Sequence, residues 1–153
     1  MVINFDVLLA WTEPTTDEVM TQIENKKNRI VTVIGGSGFI GSHVADQLSK
    51  EGYQVRIFDL KESSWKKSDQ KMIVGDLLDK DLLNKAISGA EAVYNFAALA
   101  DLDKTRNKPV ETVETNILGN VLVLEACRIN AVKRFIYAST VYVYSREGSF
   151  YRC

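Results

Sequence analysis

From Arg29 onward, apolar positions alternate between two periods. The run RIVTVI (29–34) is short and β-branched, the pattern of a strand buried in a parallel sheet. FIGSHVADQLSKEG (39–52) follows, with Ile40, Val44 and Leu48 at helical spacing and Gly52 as its stop. The pairing then recurs. YQVRIFDL (53–60) reads as a second strand, ESSWKKSDQ (62–70) as a polar loop, KMIVGDL (71–77) as a third strand and DKDLLNKAISGA (79–90) as a short helix. EAVYNFAALA (91–100) reads as a fourth strand, VETVETNILGNVLVLEACRINA (110–131) as a long helix, and KRFIYASTVYVYS (133–145) as a fifth strand entering a loop. Parallel strands need helical crossovers, so this alternation predicts an α/β fold: a Rossmann-like, doubly wound parallel sheet with helices on both faces. Residues 1–28 lie outside the alternation and read as an N-terminal extension with one short helix around Val19, Met20 and Ile23. Residues 29–153 form the expected α/β domain.

Composition narrows the function classes. The 153 residues are 46% hydrophobic and 25% charged, with a net charge of -1. That length is one domain's worth and buries a core. The charge balance gives no reason to expect nucleic acid or an anionic membrane surface as partner. The apolar patch VINFDVLLAW contains Asp6 and lacks a basic lead-in, so neither a signal peptide nor a membrane span is expected. One His and two Cys, Cys127 and Cys153, offer no disulfide framework and no zinc spacing. The expectation is a cytoplasmic protein in a reducing compartment, without a metal site.

The chemistry concentrates where the first strand meets the first helix. Gly35, Gly38 and Gly41 are spaced GxxGxxG between them. One such glycine permits a tight turn, one lets backbone approach a pyrophosphate, and one lets helix and strand pack closely. The first helical turn, Phe39, Ile40 and Gly41, offers free N–H groups and a positive dipole end to phosphate. Asp59 ends the second strand, where a carboxylate can accept hydrogen bonds from an adenosine ribose and repel a 2′-phosphate. NAD is therefore favoured over NADP, although Lys61 could blunt the preference. Asp76 and Leu77 end the third strand on the same carboxyl edge, where adenine would lie.

VIGGSGFIGSHV, FDL, VGDLLD, VYNFAALAD, ETNILGNVLVLEAC and FIYASTVYVYS occur in the order seen in extended short-chain dehydrogenases/reductases. The chain resembles the NAD-dependent epimerase/dehydratase family, from residue 30 to about the end. The resemblance implies a nucleotide-sugar substrate and three working residues: a serine or threonine, a tyrosine and a lysine. Thr140 falls on the Ser/Thr position, with Ser139 its neighbouring candidate. Tyr151 falls on the tyrosine of a YxxxK motif, and the chain ends before the lysine; Tyr142 and Tyr144 are rival tyrosines. A nearby cation is what favours phenolate at neutral pH, since tyrosine ordinarily titrates near ~10. By the same resemblance Ala97 and Ala98 pass the cofactor, and Asn116 supports the site. Asp101, Asp103 and Lys104 fall either where substrate contacts begin or on a solvated helix cap, while His43 reads as structural.

Two departures bear on function. Ser145 stands where the family usually has Gly, and Thr140 and Tyr151 are only 11 positions apart, a shorter loop than in typical sugar-nucleotide epimerases. The first reading is the NAD-binding part of an epimerase, dehydratase or reductase, lacking its substrate domain and with little or no catalysis alone. The second is a non-catalytic NAD-binding regulatory module, and the third a fragment that folds without holding ligand. Val113, Ile117, Val121 and Leu124 form an apolar stripe on helix 110–130. The resemblance implies a homodimer's helix bundle there; core packing is the alternative.

Overall fold

The first strand, β1 (Ile30–Ile34), is buried almost throughout. In the computed structural model of the chain, which describes residues 26–140, it is the centre of a five-stranded parallel sheet of order β3-β2-β1-β4-β5. The other strands are β2 (Gln54–Asp59), β3 (Lys71–Val74), β4 (Ala90–Asn95) and β5 (Arg134–Tyr137). This 3-2-1-4-5 order is that of doubly wound dinucleotide folds, with the topological switch between β1 and β4. Register brings the strand ends level: Ile34 lies beside Phe58 and Asn95, Asp59 beside Val74, and Asn95 beside Tyr137.

Helices cover both faces as expected. On one, α1 (Phe39–Lys50) seats Ala45 against Val33, Val55 and Ile57. On the other, α2 (Lys80–Ile87) and α5 (Gly119–Ile129) bury Leu83, Ala86, Ile87, Val123, Ala126 and Cys127 over Ile34, Phe58 and Val93. Asp79 caps α2 by accepting from the Asp81 and Leu82 N–H groups. At the other end the Arg56 guanidinium donates to the carbonyls of Lys85, Ala86 and Ser88, and the Thr32 hydroxyl donates to Ala86. Carbonyls that the end of the helix would leave without an intrahelical donor are thereby given one. Burial lowers the Arg56 pKa, with the charge held by these carbonyls.

Five expectations need correction. β3 stops at Val74 rather than Leu77, because β2 ends opposite it at Asp59, so Asp76 and Leu77 lie just beyond the strand. β4 stops at Asn95 rather than Ala100, because β1 ends opposite it at Ile34 and offers no further ladder. β5 ends at Tyr137 for the same reason; residues 141–145 of the expected strand lie outside the described residues, as do Tyr142, Tyr144, Tyr151 and most of segment 1–28. The long helix expected over 110–131 is composite: α4 (Pro109–Val113) leads through a π-helical turn (Glu114–Leu118) into α5, and a separate short α3 (Leu102–Arg106) precedes it. Ile40 is exposed rather than core-facing, since α1 packs through the small residues Gly41, Ser42 and Ala45. The stripe Val113, Ile117, Val121 and Leu124 is also exposed, which removes core packing as its explanation. Among the described residues no helix is long and apolar enough to cross a membrane.

Candidate functional site

The site is built at the carboxyl edge of the sheet, beside the switch point. Gly35 turns the chain out of β1 with φ +75, a conformation that suits glycine. It also lies against the segment after β4: a Cβ there would stand 2.5 Å from the Ala97 nitrogen. Gly41 lies against Gly35 and Gly36, so that a Cβ would collide with the Gly35 carbonyl oxygen. Both glycines are thus demanded by the protein's own packing. Gly38 is not. Its φ of -78 suits any residue, and a Cβ would meet nothing nearer than the Gly35 oxygen at 3.4 Å. It faces the cleft, at the N-cap of α1, where no side chain caps the helix.

The cleft has a volume of about 530 Å³. Gly35, Ser37 and Gly38 form its floor, Asp59, Lys61 and Trp65 come from the β2 side, Asp76 and Leu77 from beyond β3, and Ala97 and Ala98 from beyond β4. Asp59 Oδ2 accepts from the Ser37 N–H at 3.0 Å and Oδ1 from the Lys61 N–H at 3.2 Å. Asp76 Oδ1 accepts from the Leu78 N–H at 2.9 Å. Leu77 is buried and packs beneath Gly119, where a Cβ would come within 3.0 Å of Leu77 Cδ1. Glu62, Glu111 and Glu114 also line the cleft, outnumbering Lys61. Its charged side chains are therefore mostly acidic, so a phosphate there would depend on backbone N–H groups. The helix dipole adds under about 1 kcal/mol at such an exposed end.

Several expected residues stand apart from the cleft wall. Phe39 is exposed and lies against His43, whose Nδ1 is 2.8 Å from the Phe39 carbonyl; His43 is structural as read. Phe39, Ile40 and Gly41 form the first turn of α1, and none of them lines the cleft. Asn116, within the π turn, accepts from the Leu99 N–H at 2.8 Å and donates to the Leu99 carbonyl at 3.0 Å. It holds the segment after β4 without lining the cleft. Ser139 and Thr140 follow β5 at the same carboxyl edge, both exposed and neither lining the cleft. Asp101 Oδ1 accepts from the Asp103 N–H at the start of α3, the helix-cap alternative.

Sequence reasoning missed two residues behind this arrangement. Asn95, buried at the end of β4, donates to Asn120 Oδ1 at 2.8 Å and accepts from the Ala97 N–H at 3.1 Å. Asn120 in turn donates to the Asn116 carbonyl at 2.7 Å. The segment 96–99 is thus held by a chain of three asparagines. Signals were weak: one polar residue ending an apolar strand and another 25 positions on. Among the described residues no group of three His, Cys, Asp or Glu side chains could hold a metal ion.

A parallel 3-2-1-4-5 sheet with a glycine turn at its switch point and an acidic residue ending the second strand is the Rossmann-like architecture of the doubly wound folds. The model of the NAD dependent epimerase/dehydratase family matches residues 31–151, and the chain belongs to that family. It is 33% identical over 127 residues to a UDP-N-acetyl-alpha-D-glucosaminuronate decarboxylase of Bacillus cytotoxicus, covering 79% of this chain and 39% of that protein. It is 32% identical over 117 residues to a decarboxylating sterol-4-alpha-carboxylate 3-dehydrogenase of Mus musculus, covering 76% of this chain and 31% of the relative. The UDP-glucose 4-epimerase from Brucella ovis, solved in complex with NAD, superposes with a TM-score of 0.71 at 30% identity, covering 76% of this chain and 37% of that one. The chain therefore spans less than two fifths of the length of these relatives.

Proposed function

We propose that the cleft binds NAD and that the chain serves the oxidation of a hydroxyl group on a nucleotide sugar. The observation that carries this reading is Gly38: the protein's own packing leaves open the space a Cβ would fill, on the cleft floor at an uncapped helix start. A pyrophosphate fits that opening, held by first-turn N–H groups. Asp59 retains acceptor capacity beyond its two backbone hydrogen bonds and suits ribose hydroxyls. Asp59 and Glu62 together repel a 2′-phosphate, which favours NAD over NADP despite Lys61. Asp76 and Leu77 address the adenine end, while Ala97 and Ala98 leave room for the cofactor along β4.

Bound NAD supplies a hydride acceptor. The chain supplies position and proton handling. In this reading the Thr140 hydroxyl, with Ser139 as its alternate, hydrogen-bonds the reacting oxygen, and Tyr151 takes its proton. Among the relatives named here, one decarboxylase and one epimerase carry UDP-sugars in their names, which supports the substrate class. The exposed stripe on α4, the π turn and α5 supports a homodimer through this face.

Calorimetric titration with NAD+ and, separately, NADP+ tests the binding claim. Saturable heat with NAD+ and much weaker heat with NADP+ is expected; equal affinities would overturn the assignment of Asp59. Turnover of a UDP-sugar that survives Tyr151→Phe undiminished would remove the tyrosine from the chemistry.

A further inference from the structure

One large side chain at the cleft has no role in the reading above. Trp65 is 69% exposed, yet it lines the cleft together with Asp59, Lys61 and Asp76. Exposed tryptophan is uncommon in a protein with a sufficient core, because so much apolar area stays in water. Its loop is also held in place. No helix connects β2 to β3; residues 60–70 make the crossover.

Buried Gln70 anchors the far end of this loop. Its Nε2 donates to Asp46 Oδ1 at 3.0 Å and Ser49 Oγ at 3.2 Å on α1, while its Oε1 accepts from the Lys67 N–H at 3.0 Å. Lys67 Nζ pairs with Asp46 Oδ2 at 2.8 Å. Buried Ser63 accepts the Trp65 N–H at 3.2 Å. At the near end, the Ser37 hydroxyl of the glycine turn donates to the Lys61 carbonyl at 2.7 Å. Both ends of the loop are therefore fixed, one to α1 and one to the cleft floor, and the indole is left at the rim.

We propose that Trp65 is the aromatic wall of the adenine subsite: its indole stacks on the purine when the dinucleotide is bound. The inference rests on the NAD reading of the cleft. Asp59 addresses the ribose, the base is joined to that ribose, and Trp65 is the aromatic side chain exposed on the same stretch of lining. Stacking on a pre-placed ring avoids the entropy of ordering a loop on binding. Base–aromatic stacking is lost on substitution by alanine at a cost of about tenfold in affinity.

The test uses fluorescence and calorimetry and needs no turnover. In a Trp11→Phe background Trp65 is the remaining tryptophan. Its emission is expected to change saturably with NAD+ and with ADP-ribose, at the midpoint calorimetry gives, and not with nicotinamide mononucleotide, which lacks the base. Trp65→Ala should weaken NAD+ about tenfold while Trp65→Phe stays near wild type. Calorimetric NAD+ binding with unchanged emission and an unaffected Trp65→Ala variant would overturn the role of Trp65 and leave the cleft reading standing. No heat with NAD+ in the parent chain would overturn both.

Discussion

Asp59 and Ser37 are joined by a hydrogen bond of 3.0 Å from the Ser37 backbone N–H to Asp59 Oδ2. The acidic end of β2 therefore shapes the glycine turn before any ligand arrives. A residue expected only to address a ribose also fixes the backbone beside it. Removing the carboxylate should therefore cost binding twice, through the lost acceptor and through a looser turn.

Asp59→Ala is expected to weaken NAD+ by about 1.5–3 kcal/mol, the range for hydrogen bonds to charged groups. Asp59→Asn should do less harm to the turn but shift the NADP+/NAD+ affinity ratio upward, since the charge is gone. Paired titrations of the two variants separate these effects. An unchanged ratio in both would show that Asp59 does not set cofactor choice.

Gly38 and Gly41 differ in what their hydrogen atoms face, and the difference is measurable. Gly41→Ala drives a methyl into the Gly35 carbonyl and should destabilise the fold by about 1–3 kcal/mol. Gly38→Ala meets only the 3.4 Å contact and should leave thermal stability within about 0.5 kcal/mol of wild type. Its effect should fall on NAD+ affinity instead, with a loss of tenfold or more, about 1.4 kcal/mol. Normal binding by Gly38→Ala would mean that phosphate does not approach this position.

Much of this architecture was legible because each period had a physical cause. β1 is buried on both faces and so reads as an unbroken β-branched run; α1 and α2 end at Gly52 and near Gly89, both with positive φ. Strand ends were not legible, because the stretches AALA and STVY carry no turn residue at the point where the neighbouring strand stops pairing. The π turn around Asn116 leaves no mark in a 3.6-residue pattern. Nor does the Asn95–Asn120 pair, whose members meet only through the packing of α5 beside β4. Trp65 and the loop that holds it are equally silent in sequence, since Gln70 reaches α1 across 24 positions.

Cys127 gives a pH signature. It is buried on α5, and burial raises its thiol from the ordinary 9.0 to about 11. The folded state keeps its proton where the unfolded state loses it. Stability is then flat in this group below about pH 9 and falls as pH rises toward 11, by roughly 2 kcal/mol across the window. Denaturant melts of wild type and Cys127→Ala across that range isolate the effect, because the variant removes this group and keeps the other alkaline titrations. Parallel pH profiles would show that the thiol ionises equally in both states. At neutral pH the same burial makes Cys127 slow to alkylate.

The exposed face of α4, the π turn and α5 supplies the last expectation. Val113, Ile117, Val121 and Leu124 are 52, 61, 54 and 48% exposed and lie along one side of a continuous helical segment. Water-facing aliphatic side chains at this spacing gain nothing within the chain, whereas a second copy of the same helix would bury them on both sides. Ile117→Glu removes no core contact, so a monomer should tolerate it within about 0.5 kcal/mol. For a dimer the substitution places a charge in the contact, abolishes self-association in sedimentation equilibrium, and removes the rise of melting temperature with protein concentration. A wild-type chain that sediments as a monomer at every concentration, with a melting temperature independent of concentration, would leave this face without the partner proposed for it.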